Sequence, residues 1–136
     1  MEINKYTLRG LNIQKDEAIN TAVIEATPFD YSSSAGNVVY ETEEFTFVCP
    51  WTGLPDFAGL VIRYTLDRSL VELKFLKYYL TSYRNVGILQ KHSVNRILHD
   101  LVQLLKPVSM VVQADYKARG GLRTRAVAKY DRESTT

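Results

Sequence analysis

A chain of 136 residues suits one domain with a real hydrophobic core and is too short for two. Apolar residues make up 46% and charged residues 24%, a globular balance; no apolar run nears the roughly 18 residues of a membrane span, and the opening MEINKYTLRG has no signal-peptide core. The expectation is therefore a cytoplasmic protein with no membrane partner. A net charge of +2 is weak evidence for nucleic acid, and one cysteine with two histidines excludes an internal disulfide and leaves no four-ligand metal site.

Residues 1–36 show no sustained periodicity, and their last ten, TPFDYSSSAG, read as turn and loop. They are expected as an N-terminal arm, wrapped on the surface or on a neighbouring subunit, ahead of one domain over 37–136. Asn37 to Val48 is rich in β-branched and aromatic residues and reads as a strand. In CPWTGLPD, the residues Pro50, Gly53 and Pro55 argue against regular structure. Phe57 to Leu66 resumes a strand, with Ala58, Leu60, Ile62, Tyr64 and Leu66 on one face. Ser69 and Glu72 form a capping box for a helix running to about Arg84, ended by Gly87. A second helix, from about Leu89 to Lys106, buries Val94, Ile97, Leu98, Leu101, Val102 and Leu105 and stops at Pro107.

Val108 to Arg119 alternates, with Met110, Val112, Ala114, Tyr116 and Ala118 on one face. Gly120 and Gly121 supply a tight hairpin turn, and the return strand puts Arg123, Arg125 and Lys129 on one face with Val127. The order β-β-α-α-β-β predicts an α+β fold, an antiparallel sheet with two helices on one face. Its open edges point to pairing between subunits into a closed ring.

The residues that carry chemistry are few. Cys49 is either a small buried hydrophobe or a reactive thiol, and composition alone favours burial. Asp56 lies seven residues on, across a stiff turn able to hold a thiol and a carboxyl near one substrate atom. Asp56 is equally suited to capping turn amides. Glu72 either serves its capping box or grips the donor edge of a guanine-like base. Lys74 and Lys77 share a helix face that binds phosphate or is simply solvated. His99 falls on the outer side of the second helix, while His92 near its start is more open. Lys117, Arg119, Arg123, Arg125 and Lys129 form a basic stretch without an acid, suited to phosphate contacts or to a solvated hairpin face, the latter favoured on charge alone.

FVCPWTGLPDFAG followed by VELKFLKYYLTSYRNVG resembles the QueF family of tunnelling-fold enzymes, over about Glu44 to Tyr130. The resemblance rests on the Cys-Pro-x-Thr-Gly-x-Pro-Asp block, the helix motif opening Glu72-Leu73-Lys74, Arg84-Asn85 with Gly87, and Arg119-Gly120-Gly121. It implies a β-β-α-α-β-β subunit that assembles into pentameric barrels, commonly paired face to face, with sites at subunit interfaces. Its substrate would be the base 7-cyano-7-deazaguanine. Cys49 would add to the nitrile carbon as a thioimide, Asp56 would protonate the nitrogen, and Glu72 with Leu73 would help hold the base.

Two departures from the family's reductases stand out. Phe75 replaces a Ser or Ala of the helix motif, and Gln90 and Lys91 stand where an ungapped alignment expects a His-Glu pair; a shift of one or two residues brings His92 into the His role. These losses resemble the archaeal QueF-like amidinotransferases, which attack the thioimide with ammonia on nitrile-modified transfer RNA and need no nicotinamide. The first expectation is therefore an archaeosine-forming amidinotransferase with tRNA as partner and no cofactor besides ammonia. Gln90, Lys91 and His92 would then line the base site, with Lys117, Arg119, Arg123 and Arg125 on the RNA. The alternatives are an NADPH-dependent nitrile reductase, in which Lys74 and Lys77 would meet cofactor phosphates, and a non-catalytic base- or RNA-binding module.

Overall fold

The computed structural model describes residues 13–31 and 36–133. Residues 1–12 of the expected arm and the loop over 32–35 lie outside the described residues. The elements are β1 (Ala26–Pro28), β2 (Asn37–Val48), β3 (Pro55–Thr65), β4 (Ser69–Val71), α1 (Leu73–Thr81), α2 (Gln90–Leu105), β5 (Ser109–Tyr116) and β6 (Arg125–Asp131). Strands β2-β3-β5-β6 form one antiparallel sheet in that order, and β1 and β4 form a small second pair. This is the expected α+β layer, with the buried side of the sheet packed against the helices.

Alternation places the core. Ala58, Leu60, Ile62 and Tyr64 of β3 face inward with Met110, Val112, Ala114 and Tyr116 of β5, and with Ala126 and Ala128 of β6. In β2 the inward set changes parity part-way. Thr42 pairs with Leu60 but Phe45 pairs with Ala58, so Glu43 and Glu44 together oppose Gly59 in a β-bulge. Before the bulge the even residues Val38 and Tyr40 pack on the core; after it the odd residues Phe45 and Phe47 are buried. Gly59 suits this position, because a Cβ there would stand 3.1 Å from the Glu43 carboxylate.

Three sequence expectations need correction. β3 begins at Pro55, so Pro55 and Asp56 belong to the strand and not to the preceding turn; proline is tolerated as the first residue of a strand. Ser69 is no helix cap, since it pairs with Pro28 in the small sheet. Glu72 itself caps α1, its carboxylate accepting from the Phe75 N–H at 3.1 Å, and α1 ends at Thr81. The Gly120-Gly121 turn forms as expected, with φ of 57° and 80°. However, Arg119 pairs with Leu122 while Tyr116 bonds Thr124, so Lys117 and Ala118 together oppose Arg123 and Ala118 turns out to solvent.

Residues 13–31 are tied to their own chain. Ile19 and Ile24 are buried in the core, and the backbone of Gln14 bonds Asn85 and Gly87. A side-chain network fixes the same segment. The buried Asp100 carboxylate accepts from Tyr79 Oη at 2.6 Å, Arg96 Nε at 2.9 Å and Thr21 Oγ1 at 3.2 Å. Tyr79 also meets Tyr83 Oη at 2.8 Å, and burial, with Tyr83 and Asp100 beside it, pushes the Tyr79 phenol well above the usual range.

Removing Asp100 leaves buried donors without an acceptor. Asp100→Ala should cost about 2–4 kcal/mol in urea unfolding, and Tyr79→Phe, which removes only one donor, about 1 kcal/mol. Equal midpoints for Asp100→Ala and the parent would contradict this account of the network.

Candidate active site

Cys49 directly follows β2 at a turn closed on both sides. Its N–H donates to Leu54 O at 2.9 Å and its carbonyl accepts from Gly53 N–H at 2.8 Å, with Gly53 at φ 71°, a left-handed conformation that glycine adopts without strain. Just before it, Val48 makes a short parallel bridge to the segment entering α2. Val48 N–H donates to Val86 O at 3.0 Å and Ile88 N–H to Val48 O at 3.2 Å. Gly87 lies between them where a Cβ would press to 2.7 Å from Ile13 and 3.4 Å from Pro50, so the bridge requires glycine there.

The bridge lays the Cys49 turn beside the first turn of α2. A cleft of about 400 Å³ results, lined by Cys49, Pro50, Asp56, Ile88, Leu89, Gln90, Lys91, His92 and Arg119. Cys49 is half-buried. Burial pushes its thiol up, but the Thr52 N–H, the Thr52 hydroxyl and the Trp51 N–H outweigh that and hold it below the usual thiol value, with nearby Asp56 opposing them. Thr52 Oγ1 also accepts from Leu54 N–H at 3.2 Å, which fixes the hydroxyl's direction. Activation thus comes from the turn's own donors.

Asp56 is buried and points inward by the same alternation that buries Ala58 and Leu60. Its Oδ1 lies 3.0 Å from Arg119 Nη2 and 3.4 Å from Gln90 Nε2. Arg119 Nη2 also donates to Pro55 O at 2.6 Å. Below them Tyr116 Oη meets Ser93 Oγ at 2.8 Å and donates to Gln90 O at 3.1 Å. Burial, opposed by Ser93 and aided by Asp56, pushes the Tyr116 phenol up to about 12, so it remains a donor at neutral pH.

The structure brings Cys49, Asp56, Gln90, Lys91 and His92 together. Glu72 and Leu73 lie elsewhere. Leu73 lines a separate groove of about 440 Å³ between β2 and α1, with Lys77, Arg84, Glu41 and Glu44 at its edge and Leu60, Ile62, Leu76 and Leu80 on its apolar side. Groove and cleft share no lining residue. Of the hairpin cations, Arg119 holds Asp56, Arg125 pairs with Asp115, and Lys117 stands 5.9 Å from the Phe57 ring centre. Only Arg123 of these four makes no ion pair or ring contact among the described residues. Ser93 and Tyr116 were missed as site residues. Alternation turned Tyr116 inward, but nothing in the sequence shows its hydroxyl beneath the cleft.

Comparison with known proteins bears on this site. The family model for QueF-like proteins matches residues 55–135. Over 129 residues the chain is 57% identical to the NADPH-dependent 7-cyano-7-deazaguanine reductase of Caldicellulosiruptor bescii, covering 95% of this chain and 98% of that one. The chain belongs to the QueF-like family. The reductase of the same name from Thermoanaerobacter pseudethanolicus is 53% identical over 96% of this chain and 98% of its own, and that from Chlorobaculum tepidum 40% identical over 84% and 97%. A crystal structure of the archaeosine synthase QueF-Like in the apo form superposes with a TM-score of 0.65 over 71% of this chain and 94% of that one, at 21% identity, and so shares the fold.

These relatives overturn the amidinotransferase expectation. Sequences 40–57% identical over most of the chain carry the reductase name, and the archaeosine synthase, at 21% identity, speaks for fold alone. The reasons given for that expectation also weaken in the structure. Phe75 is not among the residues lining the groove beside α1, so its ring does not fill that space. Gln90 Nε2 donates to Asp56 Oδ1 at 3.4 Å, so this position takes part in the site as glutamine.

If Thr52 lowers the thiol, Thr52→Val should raise it and slow iodoacetamide alkylation at pH 7 by about threefold, while Thr52→Ser retains the rate. A Thr52→Val rate equal to the parent's would remove the hydroxyl from the activation.

Proposed function

We propose that this protein is an NADPH-dependent nitrile reductase acting on 7-cyano-7-deazaguanine. The observation that carries the reading is that Cys49 and Asp56 line one cleft. The reductase names of relatives up to 57% identical support the substrate and the cofactor. Cys49 adds to the nitrile carbon, forming a C–S bond, while its S–H proton passes by way of Asp56 to the nitrile nitrogen, which gives the neutral thioimide. Asp56 then exchanges protons as nitrogen becomes an amine and sulfur leaves the carbon.

The residues present suit a phosphate-bearing dinucleotide. Lys77 and Arg84 at the edge of the β2–α1 groove, and Lys74 one turn away, make no ion pair among the described residues, and the groove's apolar side offers contact to a flat ring. The dinucleotide would supply hydride to the carbon, and two molecules in turn would be needed to take the nitrile to the amine. Because groove and cleft are separate within one chain, Glu72, Leu73 and the groove serve Cys49 when a second copy brings them to it. The open edges of β2 and β6 are the surfaces for such an assembly.

The test is NADPH oxidation with the free nitrile base. Cys49→Ala should lose at least about a thousandfold and Asp56→Asn about a hundredfold in rate. Lys77→Glu should raise the KM for NADPH about tenfold and leave that for the base unchanged. Absence of NADPH oxidation above the Cys49→Ala background would overturn the reading.

A further inference from the structure

The two oxygens of Asp56 are unlike. Oδ1 carries both contacts, from the Arg119 guanidinium at 3.0 Å and the Gln90 amide at 3.4 Å. Oδ2 has no partner among the described residues, although the residue is buried. No polar side-chain atom among the described residues is both fully enclosed and unpaired, so Oδ2 retains some contact with solvent, and Asp56 lines the cleft together with Cys49. Arg119 is itself fixed by its 2.6 Å bond to Pro55 O, the residue before Asp56, and by its place beside the Gly120-Gly121 turn. Gln90 is fixed from below, its carbonyl accepting from both Ser93 Oγ and Tyr116 Oη.

We propose that Arg119 is a positioning residue which, with Gln90, holds one oxygen of Asp56 and reserves Oδ2 for proton exchange at Cys49. The proposal rests on the reductase reading for its proton step and extends it. As sulfur attacks the nitrile carbon, the S–H proton moves to Oδ2 and from there to the nitrile nitrogen, so no other acid or base is required. Arg119 serves a second end as well. Its charge offsets that of Asp56 in a cleft whose other titratable groups are Cys49, Lys91 and His92. The Asp56 carboxylate raises the thiol, and a guanidinium 3.0 Å from that carboxylate is placed to oppose the effect.

The test uses the intact chain with two readouts. In the first, iodoacetamide alkylation of Cys49 at pH 7, Arg119→Ala should be about three- to tenfold slower than the parent and Arg119→Lys should recover part of the loss. Asp56→Asn should be faster than the parent, and adding Arg119→Ala to it should change little, since the cation then has no anion to offset. In the second, formation of the Cys49 adduct is followed by mass with the free nitrile base and no NADPH. Arg119→Ala should slow it about ten- to a hundredfold while half-saturation by base moves less than about twofold. Arg119 is 47% exposed, so its replacement leaves the core intact.

Unchanged alkylation and adduct rates in Arg119→Ala would overturn the proposal. So would a raised KM for NADPH as its sole defect, the mark of a phosphate ligand. If the parent forms no adduct with the free base, the reductase reading fails, and the alkylation series alone then decides the role of Arg119.

Discussion

Val48 exchanges two backbone hydrogen bonds with Val86 and Ile88, and through them the end of β2 is fastened to the entry of α2. The rest of the cleft depends on this short parallel contact. It joins segments nearly forty positions apart, one ending in Cys49 and the other leading into Gln90, Lys91 and His92. It also needs a residue without a side chain at Gly87, where Ile13 and Pro50 close from either side. Asp56 and Arg119 arrive by separate routes, one along β3 and one at the tip of the β5–β6 hairpin, and meet at the same place.

Two register irregularities set which side chains reach the core and the cleft. The bulge at Glu43 and Glu44 changes the parity of β2, so that Phe45 and Phe47 are buried in the half nearest Cys49. Phe47 pairs with Asp56 across the ladder and stacks edge-on to Tyr116 at 5.8 Å, which places the acid and the phenol on one aromatic support. The extra residue at Lys117 and Ala118 opens the hairpin just before Arg119. A perfect ladder would have sent these side chains elsewhere.

Much of this was legible in the sequence. Period-two alternation found the inward face of β3 and β5, the helical stripe found α2 to within a residue at each end, and Gly120-Gly121 found the hairpin turn. The Cys-Pro-x-Thr-Gly-x-Pro-Asp block carried the family, which the comparisons support. What failed were inferences that need a third dimension. A Ser three residues before a Glu reads as a capping box unless a distant strand, here Ala26–Pro28, claims the Ser. Five cations on one hairpin read as a solvated face or a surface for phosphate, and nothing in their spacing shows that Arg119 meets Asp56 and Arg125 meets Asp115. The archaeosine reading failed for a different reason: it weighed Phe75, Gln90 and Lys91 against a family pattern, whereas relatives 40–57% identical carry the reductase name.

The turn that lowers the thiol also makes chemical identity conditional on folding. The amides of Trp51 and Thr52 and the Thr52 hydroxyl act on sulfur only while the loop is closed by the bonds between Cys49 and residues 53 and 54. An opened chain carries an ordinary thiol, with no other cysteine to compete for reagents or to form a mispaired bridge. The protein therefore carries its own reporter, a single sulfur whose nucleophilicity tracks the population in which this loop is formed.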